Sequence, residues 1–273
     1  LTAENTVSSE DDNELAAGIA DDANGIGFFG FAYYQENSDQ LKLVRVDGIE
    51  PTAVSVENGE YPLVRPLYLY TTADILAQNQ AASIYLNYYL THINEEIENV
   101  GYFPASDAQL AEARIAWIEA SGIDLLPGQW ASINPDGIGG SLNLTGSSTL
   151  FPLNDRIAQR MSADGFEATI NLASVGSTAG LSAFCSGENV DIAAASRPIK
   201  PGEFEACREN GRRPIEIRVG TDALAIVTST SNDFANDISL AQLRELFTTS
   251  TSLSQVEPSW PNTALDRYIP GSN

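Results

Sequence analysis

The feature that most constrains the fold is a strand–turn–helix pattern that occurs three times between residues 141 and 210. Predicted strands cover residues 142–145, 166–173 and 190–194, and a predicted helix follows each strand after a short turn. This alternation predicts an α/β fold with largely parallel strands. Because the carboxyl ends of parallel strands meet at one edge of a sheet, we expect the three turns to lie together.

The three turns are rich in glycine and in side-chain hydroxyls. They are Ser147-Ser148-Thr149, Gly176-Ser177-Thr178 and Ser196-Arg197. The first turn of a helix has unsatisfied N–H groups and the positive end of the helix dipole, and Arg197 could add a bidentate contact. Together they predict a site for a tetrahedral oxyanion. The alternative is that each Ser or Thr is an ordinary N-cap and that Arg197 pairs with an acidic neighbour.

Composition excludes several other classes of function. The net charge of −23 argues against nucleic acid and against an anionic membrane surface. A small anion remains compatible, because local N–H and O–H groups would hold it. One histidine and two cysteines make a zinc site improbable, and no serine has an evident histidine base. We therefore expect no metal, no cofactor and no catalysis.

Cys185 and Cys207 are the two cysteines of the chain. We predict a disulfide between them, worth about 3 kcal/mol in the chain-entropy model. It would place the protein outside the cytosol, whereas the alternative is two buried free thiols in a cytosolic protein. The chain does not start with a cationic, apolar segment, so we expect either a removed signal peptide or an internal fragment.

The rest of the chain gives less regular patterns. Residues 1–12 read as a loop and 106–109 as a capping box before a helix. Further predicted elements are strands at 26–34, 41–46, 61–71, 215–219 and 223–227 and helices at 13–20, 73–100 and 239–247. Residues 123–140 hold several prolines and glycines without a clear period, and we interpret them as a linker between residues 1–122 and 141–273.

Several motifs resemble the phosphate-binding proteins of phosphate ABC transporters. In the second half they are Gly-Ser-Ser-Thr-Leu-Phe-Pro at 146–152, Val-Gly-Ser-Thr-Ala-Gly at 175–180 and the run at 184–199. Cys207 falls where a secreted branch of that family has a disulfide partner for Cys185. In the first half, residues 25–34, 61–68 and 101–104 resemble later parts of the same family.

The resemblance implies an α/β, two-lobed, type II periplasmic-binding-protein fold with the ligand between the lobes. Its function would be non-catalytic capture of inorganic phosphate in the periplasm or outside the cell, followed by hinge closure and docking on an ABC transporter permease. Thr149 and the Leu150 N–H would contact phosphate, with Ser148 beside them and Ser177 on the second turn. Where many members have an aspartate, this chain has Arg197, as a recognised branch does.

The resemblance also implies that the family's segments are in swapped order. Residues 1–122 match the late part, 123–140 form the linker, and 141–273 match the early part. The family's Ser-Gly-Thr turn and its helix, expected after Asn273 and before Leu1, are missing. The chain is then either a middle piece of a tandem protein or a permuted receptor, whose halves pair within one chain or between neighbouring copies. The alternative function is a structural or filament-forming cell-surface protein with an incomplete site.

Overall fold

The structure is a computed structural model that describes residues 5–9, 12–123 and 130–270. Its strands, in chain order, are β1 (Thr6–Ser9), β2 (Ile26–Gly30), β3 (Leu41–Leu43), β4 (Arg45–Val46), β5 (Val64–Thr71), β6 (Phe103–Pro104), β7 (Ser141–Gly146), β8 (Thr169–Ser174), β9 (Ile192–Ala195), β10 (Ile215–Ser229), β11 (Asp237–Ile238) and β12 (Arg267–Pro270). Its helices are α1 (Asp12–Ala20), α2 (Phe31–Glu36), α3 (Ala53–Glu57), α4 (Ala73–Gln78), α5 (Gln80–Glu96), α6 (Asp107–Ser121), α7 (Phe151–Ala163), α8 (Ser177–Ser186), α9 (Pro201–Glu209), α10 (Leu240–Thr248) and α11 (Leu253–Val256).

The chain forms two compact units. Unit 1 consists of Leu1–Val64 and Ala223–Asn273, and unit 2 is Arg65–Asp222. Each unit therefore takes a segment from residues 1–122 and a segment from residues 141–273. The two halves of the sequence do not form two separate units, because each half contributes strands and helices to both.

Unit 2 is built on a sheet with the strand order β10-β5-β9-β7-β8. β7 lies between β8 and β9 and is parallel to both, while β5 is antiparallel to β9. Apolar side chains cover both faces of this sheet: one cluster includes Leu67, Leu69 and much of α5, and the other includes Tyr68 and Tyr70. All four residues of β9 are buried, as expected for a parallel strand covered on both faces.

Unit 1 contains its own set of paired strands. β12 lies between β1 and β2 and is parallel to both, and the first and last described strands of the chain are thus neighbours. β2 and β3 pair antiparallel with the last residues of β10. Gly27 allows a close approach here, since a Cβ atom at that position would lie 2.8 Å from the Tyr268 carbonyl oxygen.

Several local predictions are confirmed. Ser106 and Gln109 form the predicted capping box at the start of α6, and Gly122 ends that helix in the left-handed conformation. The linker predicted at residues 123–140 stays a prediction; in its described part, residue 123 and residues 130–140 lie outside helices and strands. It packs within unit 2 through Asn87, whose side chain donates to the Ala131 carbonyl and accepts from the Ile133 N–H. Residues 124–129 lie outside the described residues.

Other local predictions are wrong. Residues 31–34, predicted as strand, are helical in α2, where Phe31 is buried; strand propensity depends on tertiary context and does not decide the conformation here. The predicted loop at residues 1–12 contains β1, which exists through its pairing with β12. The single helix predicted at 73–100 is broken at Asn79, whose side chain caps α5.

The two strands predicted at 215–219 and 223–227 are one continuous strand, β10. Its residues up to Asp222 belong to unit 2 and those from Ala223 to unit 1. The helix predicted at 239–247 is confirmed as α10, with Ser239 as its N-cap.

Among the described residues, no helix has the length and apolar content that a membrane span requires.

Candidate functional site

The first hydroxyl turn connects β7 to α7. Gly146 ends β7 with a φ of +141°, and a Cβ atom there would lie 2.1 Å from the Ala194 carbonyl oxygen. Glycine is required because the backbone of β7 lies against that of β9. The Ser147 N–H donates to the same carbonyl at 2.9 Å, which fixes the start of the turn. α7 then begins after Leu150, and no side chain caps its first N–H groups.

The second turn connects β8 to α8. The N–H groups of Val175 and Gly176 both donate to the Gly146 carbonyl, at 2.9 and 2.8 Å, so the second turn is attached to the first. Gly176 has a φ of +86° and is the N-cap of α8, which also lacks a side-chain cap. A Cβ atom on Gly180 would lie 2.4 Å from the Cα of Gly146, so glycine permits α8 to pack directly on β7.

The third turn follows β9 and is bonded to the second. The Ser177 Oγ accepts from the Ser196 N–H at 3.1 Å and lies 3.3 Å from the Ser196 Oγ. Arg197 Nη2 donates to the Thr178 Oγ1 at 3.0 Å. The three turns therefore occupy one edge of the sheet, where β7, β8 and β9 end at Gly146, Ser174 and Ala195. We call this the carboxyl edge of unit 2.

Arg197 directs its guanidinium group towards a carboxylate of the chain. Its Nη1 and Nη2 donate to the two oxygens of Glu203, at 2.8 and 2.7 Å. Glu203 also accepts from the Lys200 N–H, at the start of α9. Hydrogen bonds from Arg197 hold the pKa of Glu203 below its usual range, and the same bonds raise the pKa of Arg197. The structure therefore shows the alternative arrangement, in which Arg197 pairs with an acidic neighbour, Glu203.

The predicted site residues differ in exposure. Ser148 is exposed, and Thr149, Ser177 and Arg197 are half-buried. The side chain of Leu150 is fully buried, so this residue could present only its backbone to a ligand. An exposed or half-buried hydroxyl is available to a ligand, whereas a buried leucine side chain fixes the position of the backbone beside it.

Two tyrosines position these turns, and the sequence patterns predicted neither contact. Tyr102 Oη donates to the Thr149 carbonyl at 2.6 Å. Tyr70 Oη accepts from the Ile199 N–H at 2.8 Å and donates to Glu216 at 2.6 Å. Burial, and then the bond to Glu216, raise the pKa of Tyr70 well above its usual value, so the phenol stays neutral. Each tyrosine contacts a backbone group far away in the sequence, and a local pattern carries no signal for such contacts.

The predicted disulfide between Cys185 and Cys207 is confirmed. It joins α8 to α9, with the two Cα atoms 4.1 Å apart and both cysteines buried. The bond fixes the helix that follows the second turn to the helix that follows the third. Within the described ranges, no group of three or more His, Cys, Asp or Glu side chains could hold a metal ion.

Part of the chain matches a known family, and the chain is similar to several known proteins. Residues 133–266 match the model of the PBP superfamily domain. The chain is 40% identical over 133 residues to Protein SphX of Synechococcus elongatus, an alignment that covers 47% of this chain and 39% of that protein. It is 28% identical over 132 residues to Phosphate-binding protein PstS of Staphylococcus saprophyticus, covering 48% of this chain and 41% of PstS. The chain thus spans about two fifths of the length of these curated relatives.

A solved structure extends the comparison to most of the chain. It is the phosphate-binding protein of a phosphate ABC transporter from Streptococcus pneumoniae, with a TM-score of 0.71 and 20% identity. The match covers 90% of this chain and 82% of that protein. At this identity the likeness establishes the fold: the chain has the α/β, type II periplasmic-binding-protein-like fold that its motifs predict.

Proposed function

We propose that this chain binds inorganic phosphate, without transforming it, at the carboxyl edge of unit 2. One observation carries the proposal: α7 and α8 begin side by side at this edge without a side-chain cap, next to exposed or half-buried hydroxyls. Uncapped N–H groups and the positive end of the helix dipole favour an anion. PstS and the Streptococcus pneumoniae protein are both named as phosphate-binding proteins, which supports phosphate as that anion.

In this proposal the residues of the first two turns have distinct roles. The hydroxyl of Thr149 and the N–H of Leu150 donate to phosphate oxygens, and Ser148 lies beside them. The hydroxyl of Ser177 donates from the second turn. Arg197 holds the third turn in place by connecting the hydroxyl of Thr178 to Glu203.

We propose further that the chain acts outside the cytoplasm as the receptor of an ABC transporter. The buried disulfide supports an oxidising compartment, either the periplasm or the cell exterior. A membrane permease is the partner to which such a receptor delivers its ligand. Delivery requires reversible binding and no chemical step, which agrees with a site made of N–H and O–H donors.

The swapped segment order is also part of the proposal. Each compact unit contains a segment from both halves, and β12 and β1 are parallel neighbours. In the family that the motifs resemble, the counterparts of these two strands would be consecutive and joined by the Ser-Gly-Thr turn and its helix, since consecutive parallel strands need such a crossover. Their parallel pairing therefore supports the swapped order.

Calorimetry of the purified chain with phosphate, and with sulfate for comparison, tests the proposed function. We expect saturable phosphate binding. Thr149→Val should weaken it about tenfold, because one hydrogen bond to a charged ligand is lost. Thr169→Val, at the opposite end of β8, is the matched control and should bind as the wild type does. A folded chain that does not bind phosphate would contradict the proposal and favour the structural alternative.

A further inference from the structure

The proposed site has a shortage of positive charge. The chain carries a net charge of −23, and a phosphate anion must approach it against this field. Arg197 is the cation of the three turns, but Glu203 occupies both arms of its guanidinium group. The exposed fractions of the two side chains are only 25% and 18%. Separating them for a ligand would leave a largely buried carboxylate unpaired beside an anion, which is unfavourable.

Arg218, on β10, is a half-buried cation of unit 2 that no carboxylate among the described residues neutralises. Of the half-buried arginines in the described part of this unit, the others bond to a carboxylate or to a backbone carbonyl: Arg65, Arg114, Arg160, Arg197 and Arg212. Arg218 has neither kind of partner among the described residues. Its Nη2 donates to the Thr221 Oγ1 at 3.1 Å, and its buried Nε makes no hydrogen bond.

The sheet places Arg218 close to the third turn. Tyr68 of β5 pairs with Ala195, the last residue of β9, so Tyr68 lies at the carboxyl edge. Tyr70 contacts Glu216 and Arg65 contacts Asp222, so Tyr68 and Arg218 lie beside each other on the neighbouring strands β5 and β10. Burial and then Glu216 raise the pKa of Tyr68, and the charge of Arg218 opposes that shift. Arg218, Tyr68 and the end of β9 therefore follow one another across adjacent strands of unit 2.

The Arg218 side chain also points in the required direction. Contacts of Tyr70 with Glu216 and of Arg65 with Asp222 show that β10 runs opposite to β5. Since β5 runs opposite to β9, β10 runs in the same direction as β9, towards the carboxyl edge. Thr221, which the guanidinium contacts, lies three residues further along β10 than Arg218. The positive charge is therefore held at the edge where the hydroxyl turns meet.

We infer that Arg218 supplies the positive charge that stabilises the anion at the carboxyl edge of unit 2, in place of Arg197. This inference rests on the proposed phosphate site. It identifies Arg218 as the residue that determines which ionic form of phosphate binds. Glu216, two residues before Arg218 on the same face of β10, accepts from Tyr70 and makes no ion pair with Arg218. The charge of the guanidinium therefore favours the phosphate dianion over the monoanion. The planar fork of donors also suits a tetrahedral oxyanion.

Calorimetry of the full chain at several pH values tests the inference with Arg218→Gln and Arg213→Gln. Arg213 is an exposed arginine of the same unit and provides the matched control. We expect Arg218→Gln to weaken phosphate binding about 10- to 100-fold and Arg213→Gln to leave it unchanged. Wild-type affinity should rise over the pH range in which phosphate loses its second proton. Arg218→Gln should reduce that rise, which a purely structural role would not do.

Thr221→Val is the second variant, to be used whether or not Arg218→Gln folds. It removes the hydroxyl that Arg218 contacts but keeps the charge, so we expect binding several-fold weaker with the pH dependence of the wild type. Unchanged affinity in Arg218→Gln, or in Thr221→Val if the first variant is unfolded, would overturn the inference while the proposed function stands. A folded wild-type chain without phosphate binding would instead refute the proposed function.

Discussion

The starts of α7 and α9 follow strands of the same parallel set but have opposite characters. α7 begins at the carboxyl edge without a side-chain cap and without an acidic residue in its first turn. At the start of α9, Glu203 accepts from the Lys200 N–H and from Arg197. One helix start is open to an external anion, and the carboxylate of the chain closes the other.

The difference shows that a strand–turn–helix pattern alone does not make an anion site. The same pattern produces a closed helix start when the first turn supplies its own carboxylate, as Glu203 does. α8 resembles α7, because its first turn also lacks an acidic residue. The open starts of α7 and α8 are adjacent, and for this reason the proposed site lies on the first two turns.

The largest effect on stability is expected when a side chain is added at Gly146, just before the start of α7. Gly146→Ala would put a methyl group against the Ala194 carbonyl at a positive φ, and we expect it to lower the free energy of unfolding by about 3 to 5 kcal/mol. Gly202→Ala is the matched change in α9, where nothing lies within 4 Å of the added Cβ atom. Chemical denaturation should show Gly202→Ala to be neutral or slightly stabilising, and similar losses in both variants would contradict the comparison.

The next effect concerns the disulfide that joins α8 to α9. Replacing Cys185 and Cys207 by serine should cost about 3 kcal/mol, because the disulfide restricts the unfolded chain. Denaturation with and without a reducing agent measures this cost. The reducing agent should destabilise the wild type and leave the double variant unchanged. Equal stability of the oxidised wild type and the double variant would contradict the expected role.

The smallest effect is expected at the start of α9, where Glu203 accepts hydrogen bonds, and this effect depends on pH. The folded-state pKa of Glu203 lies below its usual value of 4.5, mainly through hydrogen bonds from Arg197. Its stabilising contribution is therefore present above pH 4.5 and is lost as the pH falls through the folded-state pKa. Melting temperatures measured from neutral to acidic pH should fall less steeply in Glu203→Gln than in the wild type. Parallel pH profiles would show that the pair contributes nothing measurable.

Much of the site could be predicted because its signals are local. The turns that hold Thr149 and Ser177 follow strands whose apolar runs are visible in the sequence, and glycine marks the close approaches. The pairing of Arg197 with Glu203 spans six residues, so the sequence offered it as an alternative and the structure selected it. The strand β1 could not be predicted, because its four residues become a strand only through pairing with β12.

Local sequence patterns were enough to predict the order of strands and helices in residues 141–210, the capping box of α6 and the disulfide between the two cysteines. These depend on periodicity, turn residues and composition, which act over a few residues. The folded chain was needed to find that Tyr102 bonds to the first turn, that Arg218 lies beside Tyr68 on the neighbouring strand, and that both halves of the chain build each unit. Such contacts join residues far apart in the sequence, and packing selects them from many partners of the same chemistry.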